Sequence, residues 1–280
     1  MKTKVGVLID LGNSETRAYV VVNTTSGRNV YPLTLSNRFV EIPKGYTMPK
    51  EYYNDKSTLF VHNNCLYANG VIVKREFETI AVRPTAQKEK TIQLTTDLSL
   101  NLVFIQTYLL LSKELNVNIN ELDIVFDVQV LLPPSEHIRM ADKMKEKIEN
   151  FNHVDVLVPC RLAKSFTVNS VEVLPEGVVA FMAVSYRGNG TEIEEIPENK
   201  DYLSGDVLVV DIGAGTTDFV RIKDSELVIN SKETFAKGGN NIESICKRLI
   251  RDKFGFTPND DDMLKVVSTG VLPEGFEEHD

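Results

Sequence analysis

VLVVDIGAGTT, Val207–Thr217, is the stretch that decides how this chain folds, and Asp218 and Phe219 follow it directly. Val207–Val210 is an apolar run long enough for a buried strand, and Asp211 stands at its end. The chain then turns through Gly213-Ala214-Gly215 into a second β-like run, Thr216–Ile222, with a further arm at Glu226–Ile229. Glycines let such a turn bring backbone N–H groups close to an anion, and Thr216 and Thr217 add hydroxyl donors. A carboxylate at the strand end cannot touch phosphate, but it can hold the hydrated Mg²⁺ that accompanies it. Alone, an ordinary glycine-rich hairpin has the same pattern.

A second copy lies near the start. Val5–Arg17, VGVLIDLGNSETR, is an apolar strand ending in Asp10, then Gly12-Asn13-Ser14, Thr16 and a β run at Ala18–Val22. A pair of strand–Asp–x–Gly–turn–strand hairpins implies a duplicated unit whose turns face each other across a cleft. On these residues the sequence resembles the actin, heat-shock chaperone and sugar kinase ATPase superfamily, where the hairpins are called phosphate 1 and phosphate 2. The likeness runs from Lys4 to about Leu249 and keeps the family's order. That order is phosphate 1, β-rich insertion, connecting helix, Pro-Glu element, phosphate 2 and Gly-Gly helix. It implies an α/β fold of two actin-like (ribonuclease H-like) domains with a nucleotide cleft between them. The expected division is 1–165, with the insertion at about 31–95, and 166–280. One family element is missing: nothing after Phe254 looks like the third glycine-rich strand–turn, the adenosine motif, so the second domain is expected to be incomplete.

Composition is that of an ordinary soluble globular protein and argues against other classes. Apolar residues make up 42% and charged residues 25%, as in soluble globular proteins. A net charge of −9 argues against a direct nucleic-acid or anionic-membrane binder. No apolar run approaches the roughly twenty residues that span a bilayer. The N-terminal MKTKVGVLID reads as a first strand rather than a signal segment. Cys65, Cys160 and Cys246 are far apart and odd in number, and the histidines are scattered, so neither a disulfide framework nor a metal cluster is expected. A cytoplasmic location follows.

Along the chain, Tyr31–Gln93 reads as short β runs, with a hairpin turn at Asn63-Asn64. Asp97–Leu115 is broadly apolar and reads as a buried helix capped by Thr96 or Asp97. Leu122–Leu132 reads as a central strand stopped by Pro133-Pro134, and Ser135–Asn150 as a helix with Ser135 as N-cap and Ile138, Ala141, Met144 and Ile148 inward. Val154–Val158 and Phe166–Leu174 read as strands and Val178–Tyr186 as a helix, whereas Arg187–Gly205 reads as an exposed loop. A helix over Ile242–Phe254, with Ile245, Leu249 and Phe254 inward, and another at Asp260–Val267 close the pattern.

The resemblance assigns roles. Gly12, Asn13 and Ser14, with Thr16, would wrap the β-phosphate side of ATP or GTP. Gly213, Gly215, Thr216 and Thr217 would wrap the γ-phosphate side. Asp10 and Asp211 would hold Mg²⁺ through water. Glu176, in VEVLPEGVVAF, matches the strand–Pro–Glu element whose acid orients the attacking water in plasmid-segregation actins of the ParM type; Glu172 is a weaker alternative. Gly238-Gly239 match the pair that opens the helix beneath ribose and phosphates. Glu243 and Lys247, one turn along, touch ribose or form an i,i+4 ion pair.

The expected function is a ParM-like ATPase that polymerises with ATP and disassembles after hydrolysis. Its expected task is moving plasmid or phage DNA, with itself and a DNA-binding adaptor as partners. A non-hydrolysing actin-fold scaffold and an FtsA- or MreB-like cytoskeletal role are the alternatives.

Overall fold

β1 (Lys2–Leu11), β2 (Glu15–Thr24) and β3 (Gly27–Ser36) form an antiparallel meander. Period-two alternation buries Val5, Val7, Ile9 and Leu11 on one face of β1 and leaves Asp10 on the other. The computed structural model describes residues 2–24, 27–54, 56–84, 89–188, 193–228, 233–255 and 257–270. After β4 (Val40–Glu41) comes the hairpin of β5 (Ser57–His62) and β6 (Cys65–Gly70), turned as expected by Asn63 and Asn64, both at positive φ. The short α1 (Val71–Glu76) and the long α2 (Leu94–Glu114) lead to β7 (Asp123–Leu132) and α3 (Pro134–Glu149). Next are β8 (His153–Val158), β9 (Leu162–Ser165) and β10 (Thr167–Pro175).

These strands make two sheets. The first has the order β10-β7-β1-β2-β3, and the smaller has the order β4-β6-β5-β8-β9. Two expectations change. The smaller sheet draws β8 and β9 from beyond the expected insertion at 31–95, while β3 belongs to the first sheet. Residues 167–175, expected in the second half, extend the first sheet by pairing parallel to β7.

α2 covers the first sheet. It is apolar on most sides, so Leu98, Leu102, Phe104, Ile105 and Tyr108 are all fully or nearly fully buried. Phe104 meets Phe126 at 4.9 Å and Phe166 at 4.8 Å between ring centroids, near the edge-to-face and tilted geometries that aromatic quadrupoles favour. α2 has the length and hydropathy of a membrane span, but 72% of its apolar window is packed inside the protein. Its N-cap is Gln93, not Thr96 or Asp97. Those side chains are engaged elsewhere: the Thr96 hydroxyl donates to the Lys90 carbonyl and Asp97 pairs with Lys147. Likewise α3 has Pro133 as N-cap and begins with Pro134, whose ring suits a first helical position, so Ser135 lies inside the first turn rather than capping it. Ile138 of α3 faces outward, while Met144 and Ile148 face inward.

The second half opens with α4 (Glu176–Ser185), then the hairpin of β11 (Tyr186–Gly188) and β12 (Ile193–Glu195) and the single-turn α5 (Lys200–Leu203), where a loop was expected. β13 (Asp206–Ile212), β14 (Thr217–Lys223), β15 (Glu226–Leu227) and β16 (Glu233–Phe235) form its sheet, with β15 and β16 both pairing β14. α6 (Gly239–Phe254) and α7 (Asp260–Thr269) follow. Ile229 and the tail after Gly270 lie outside the described residues. The core here is small: Phe181, Val220 and Ile222, with Val207 and Val209 against them. β13 is therefore not buried on both sides as its run of apolar residues suggested; Leu208, Val210 and Ile212 point outward. Ile245 and Leu249 of α6 are also exposed, because the helix presents the face carrying Ile250 to the protein.

β1, β7 and β10 run parallel, so their C-terminal ends share one edge of the sheet. Asp10, next to last in β1, lies beside Leu131, Pro175 pairs with Leu132, and the chain continues at once into Glu176. The start of α3 lies at that edge too. Crevices beyond the carboxyl ends of parallel strands are where α/β folds place ligands.

Candidate functional site

The hairpins β1–β2 and β13–β14 are built on the same register. Asp10 lies opposite Arg17 and Leu11 opposite Thr16; Asp211 lies opposite Asp218 and Ile212 opposite Thr217. Both turns therefore start one residue after an aspartate-bearing strand end. A cleft of about 240 Å³ separates them. Asp10, Gly12, Asn13 and Ser14 line it from the first half, Asp211, Gly213 and Thr216 from the second, with Glu176 between. Gly12 is required by its turn, since a Cβ there would stand 2.5 Å from the Glu15 carbonyl oxygen.

Other expected residues are placed differently. Thr16 is fully buried, and its hydroxyl donates to Asn37 Oδ1 at 2.7 Å. Thr217, its register equivalent, donates to the Lys237 carbonyl at 2.8 Å. Gly215 is buried within its turn and does not line the cleft. Gly238 and Gly239 do not line it either. The Gly239 N–H donates to the Gly213 carbonyl at 2.9 Å and the Asn240 N–H to the Ala214 carbonyl at 2.8 Å. The amides expected to face phosphate thus brace the second turn from behind. Glu172 is bonded to Gln129 at 2.8 Å and lines a separate recess, and Glu243 pairs with Lys247 at 2.7 Å as an i,i+4 ion pair.

Gly238 shows how closely the bracing fits. A Cβ on it would lie 2.4 Å from the Gly213 oxygen and 2.8 Å from the Ala214 backbone. Neither neighbour is a flexible side-chain end, so the turn itself must move. Gly238→Ala is expected to displace this turn and to destabilise the protein by about 1–3 kcal/mol, the cost of an overpacked contact. Urea unfolding measures this, and unchanged stability would count against so close a fit behind the 213–216 turn.

The sequence reading missed Lys90 and Asp218. Lys90 Nζ donates to Glu176 Oε1 at 2.6 Å, with only 10% of either side chain exposed. Burial alone would lower the Lys90 pKa, but Glu176, Asp10 and Asp218 outweigh it and hold the ammonium above its ordinary value. Burial pushes the Glu176 carboxyl up to about 7, and Lys90 restrains the rise. Burial also raises Asp10, opposed by Lys90 and reinforced by Asp211. Asp218 is raised by burial and drawn back by its bond from Thr234, by Lys90 and by Thr216. Thr234 Oγ1 donates to Asp218 at 2.5 Å, so the hydroxyl contact between Ser135 and Thr234 at 2.8 Å has Ser135 as donor. That chain crosses from α3 to the second sheet.

Carboxylates outnumber cations around the cleft, an arrangement that suits an added cation. No cluster of three or more metal-ligating side chains occurs among the described residues. Asp10 and Asp211 line the cleft from opposite hairpins, an arrangement that fits a Mg²⁺ keeping most of its water.

With the geometry in view, solved structures supply the comparison. The chain matches the actin-like protein Alp7A over 100% of its own length and 72% of that chain, with a TM-score of 0.70 at 16% identity. It matches AlfA of B. subtilis plasmid pLS32, solved as a filament, over 88% of this chain and 78% of that one, with a TM-score of 0.59 at 14% identity. Bacillus thuringiensis ParM with ATP matches over 90% and 65%, with a TM-score of 0.60 at 16% identity. The fold is actin-like. No family model matches the chain, and no curated protein does. Within the actin fold, the Asp10 and Asp211 hairpins are a duplicated pair on either side of the cleft, as the sequence implied.

Proposed function

We propose that this chain is a cytoplasmic actin-like ATPase that binds ATP with Mg²⁺ in the cleft, polymerises, and disassembles after hydrolysis. Its proposed task is plasmid or phage DNA segregation through an adaptor. The observation that carries the reading is the convergence of Asp10, Asp211 and Glu176 on one cleft between register-matched turns. Solved proteins of the same fold include a filament and an ATP complex, which supports it.

In this reading the amides around Gly12–Ser14 and Ala214–Thr216 cradle phosphate oxygens, while the Gly213 N–H closes the turn on the Thr216 carbonyl at 2.9 Å. Mg²⁺ would supply neutralising charge, with Asp10 and Asp211 holding its water shell. Lys90 turns its ammonium toward the anionic phosphates, which carry more charge than the Glu176 carboxylate it pairs with here. Glu176 then accepts a hydrogen bond from the attacking water and aligns it.

This role requires the carboxylate form. Because burial pushes the Glu176 carboxyl up to about 7, hydrolysis is expected to rise with pH through that region, falling about tenfold per unit below the midpoint. Bound phosphate, being negative, moves the midpoint upward. Phosphate release measured from pH 5.5 to 9 checks this; a flat profile, or one unchanged in Glu176→Gln, would remove Glu176 from the mechanism. The scaffold alternative has one observation on its side: among the described strands β13 pairs only with β14, whereas β1 has neighbours on both sides.

A further inference from the structure

We propose that Glu136 is a positioning residue for the reaction, acting through Lys90 by holding the backbone of the turn that presents the ammonium to the cleft. The inference rests on the nucleotide-processing role of the cleft given above.

Glu136 sits in the first turn of α3 and is only 4% exposed. Its Oε2 accepts the Lys90 N–H at 2.8 Å, and its Oε1 accepts both the Thr91 N–H and the Thr91 hydroxyl at 2.7 Å. The Lys90 carbonyl is taken up as well, by the Thr96 hydroxyl at 2.6 Å. Residue 90 is thus bonded on both sides of its Cα, from two helices. All three donors on the carboxylate belong to consecutive residues of a single turn, and they lie 45 or 46 positions away in sequence.

Burying a carboxylate is costly unless its oxygens are bonded, so an ordinary surface turn gains little from one. Lysine gives the reason. Its long side chain loses much rotamer freedom when fixed. Anchoring its base leaves fewer orientations from which Nζ can reach Glu176 at 2.6 Å. Two carboxylate oxygens, each fixed on a successive amide, set the direction of the Lys90 Cα–Cβ bond as one acceptor could not. The same edge of the first sheet carries Glu136 and Glu176, so the turn and the target of its ammonium share a support.

The test has two arms. In the unliganded full chain, ¹³C-carboxyl NMR follows the titration of Glu176 in the unmodified protein and in Glu136→Gln, whose amide turns a donor toward one of the held groups. The Glu176 midpoint is expected to move to higher pH in the variant, because the ammonium no longer restrains it. Thr91→Val, which removes one of the three bonds and leaves Glu136 in place, is a gentler variant expected to shift it the same way by less. In the second arm, Glu136→Gln is expected to lower kcat by about 10²-fold, the scale of a small misplacement, with KM for ATP little changed. On a Lys90→Ala background the same substitution is expected to add nothing, since both changes remove one effect. An unshifted Glu176 midpoint in both variants, or losses that multiply in the double variant, would overturn the inference. Absence of hydrolysis by the unmodified chain would instead overturn the proposed function, and the titration arm would still decide the role of Glu136.

Discussion

Glu176→Ala is expected to lower phosphate release by about 10²- to 10⁴-fold, the usual contribution of a positioned acid or base, while ATP still drives assembly. Glu176 lies immediately after the end of β10, at the first position of α4, where the helix dipole favours a carboxylate. Asp218 lines the same cleft but is held by the Thr234 hydroxyl. Glu172 faces a different recess, and Asp10 and Asp211 lie at the strand ends that would hold the metal. Filaments formed by the variant should persist, because their nucleotide stays unhydrolysed. Light scattering and phosphate release, recorded on one sample, check both parts. A variant that hydrolyses ATP at the unmodified rate would contradict the assignment, and one that no longer assembles would place Glu176 in nucleotide binding instead.

Lys90→Ala is expected to destabilise the protein strongly, and more so at higher pH. Removing one partner of a buried pair costs about 3–5 kcal/mol when the remaining charge stays buried and unpaired. Here the remaining group can escape by taking up a proton. The folded-state pKa of Glu176 is raised above its unfolded value, so the native state binds the extra proton between roughly 4.5 and about 7. Its contribution is therefore full below that window and is lost as pH rises through it. Without Lys90 the carboxyl rises further, and the loss extends to higher pH. Urea unfolding should show a penalty of about 3 kcal/mol or more near pH 8 and a clearly smaller one near pH 5. Equal penalties at both values would mean that the ammonium does not act by neutralising Glu176.

The two hairpins were legible because each packs its information into a dozen consecutive residues: apolar strand, aspartate, glycine turn, strand. Local signals of this kind survive without tertiary context. α2 was legible for a similar reason, since an almost wholly apolar helix of this length has few places to go but a core. Lys90 was not legible. It stands in a polar, charged stretch that looks like a solvated loop, and its partner Glu176 is 86 positions away. Asp218 was in view but read as a neighbour of Thr217, because sequence alone does not show that register sets it beside Asp211.

The residues found behind the turns rather than on the cleft share a cause. Thr16, Thr217, Gly238 and Gly239 match residue types that contact phosphate, but the same groups also satisfy backbone and amide partners behind the turns. Only the fold decides which demand is met. Thr16 and Thr217 occupy the same register position in their hairpins, and both are drawn away from the cleft into the scaffold. Ile245 and Leu249 were expected inward on helical spacing, but that spacing fixes only that they share a face of α6, not which face is covered.

The central claim, that ATP in this cleft controls self-assembly, is tested most directly by ultracentrifugal pelleting of the full chain. The samples hold ATP·Mg²⁺, a non-hydrolysable analogue, ADP or no nucleotide, with phosphate release recorded alongside. The account predicts sedimentation with ATP and with the analogue only, reversing in the ATP sample as phosphate appears. A protein that stays in the supernatant under every condition and binds no nucleotide would contradict it.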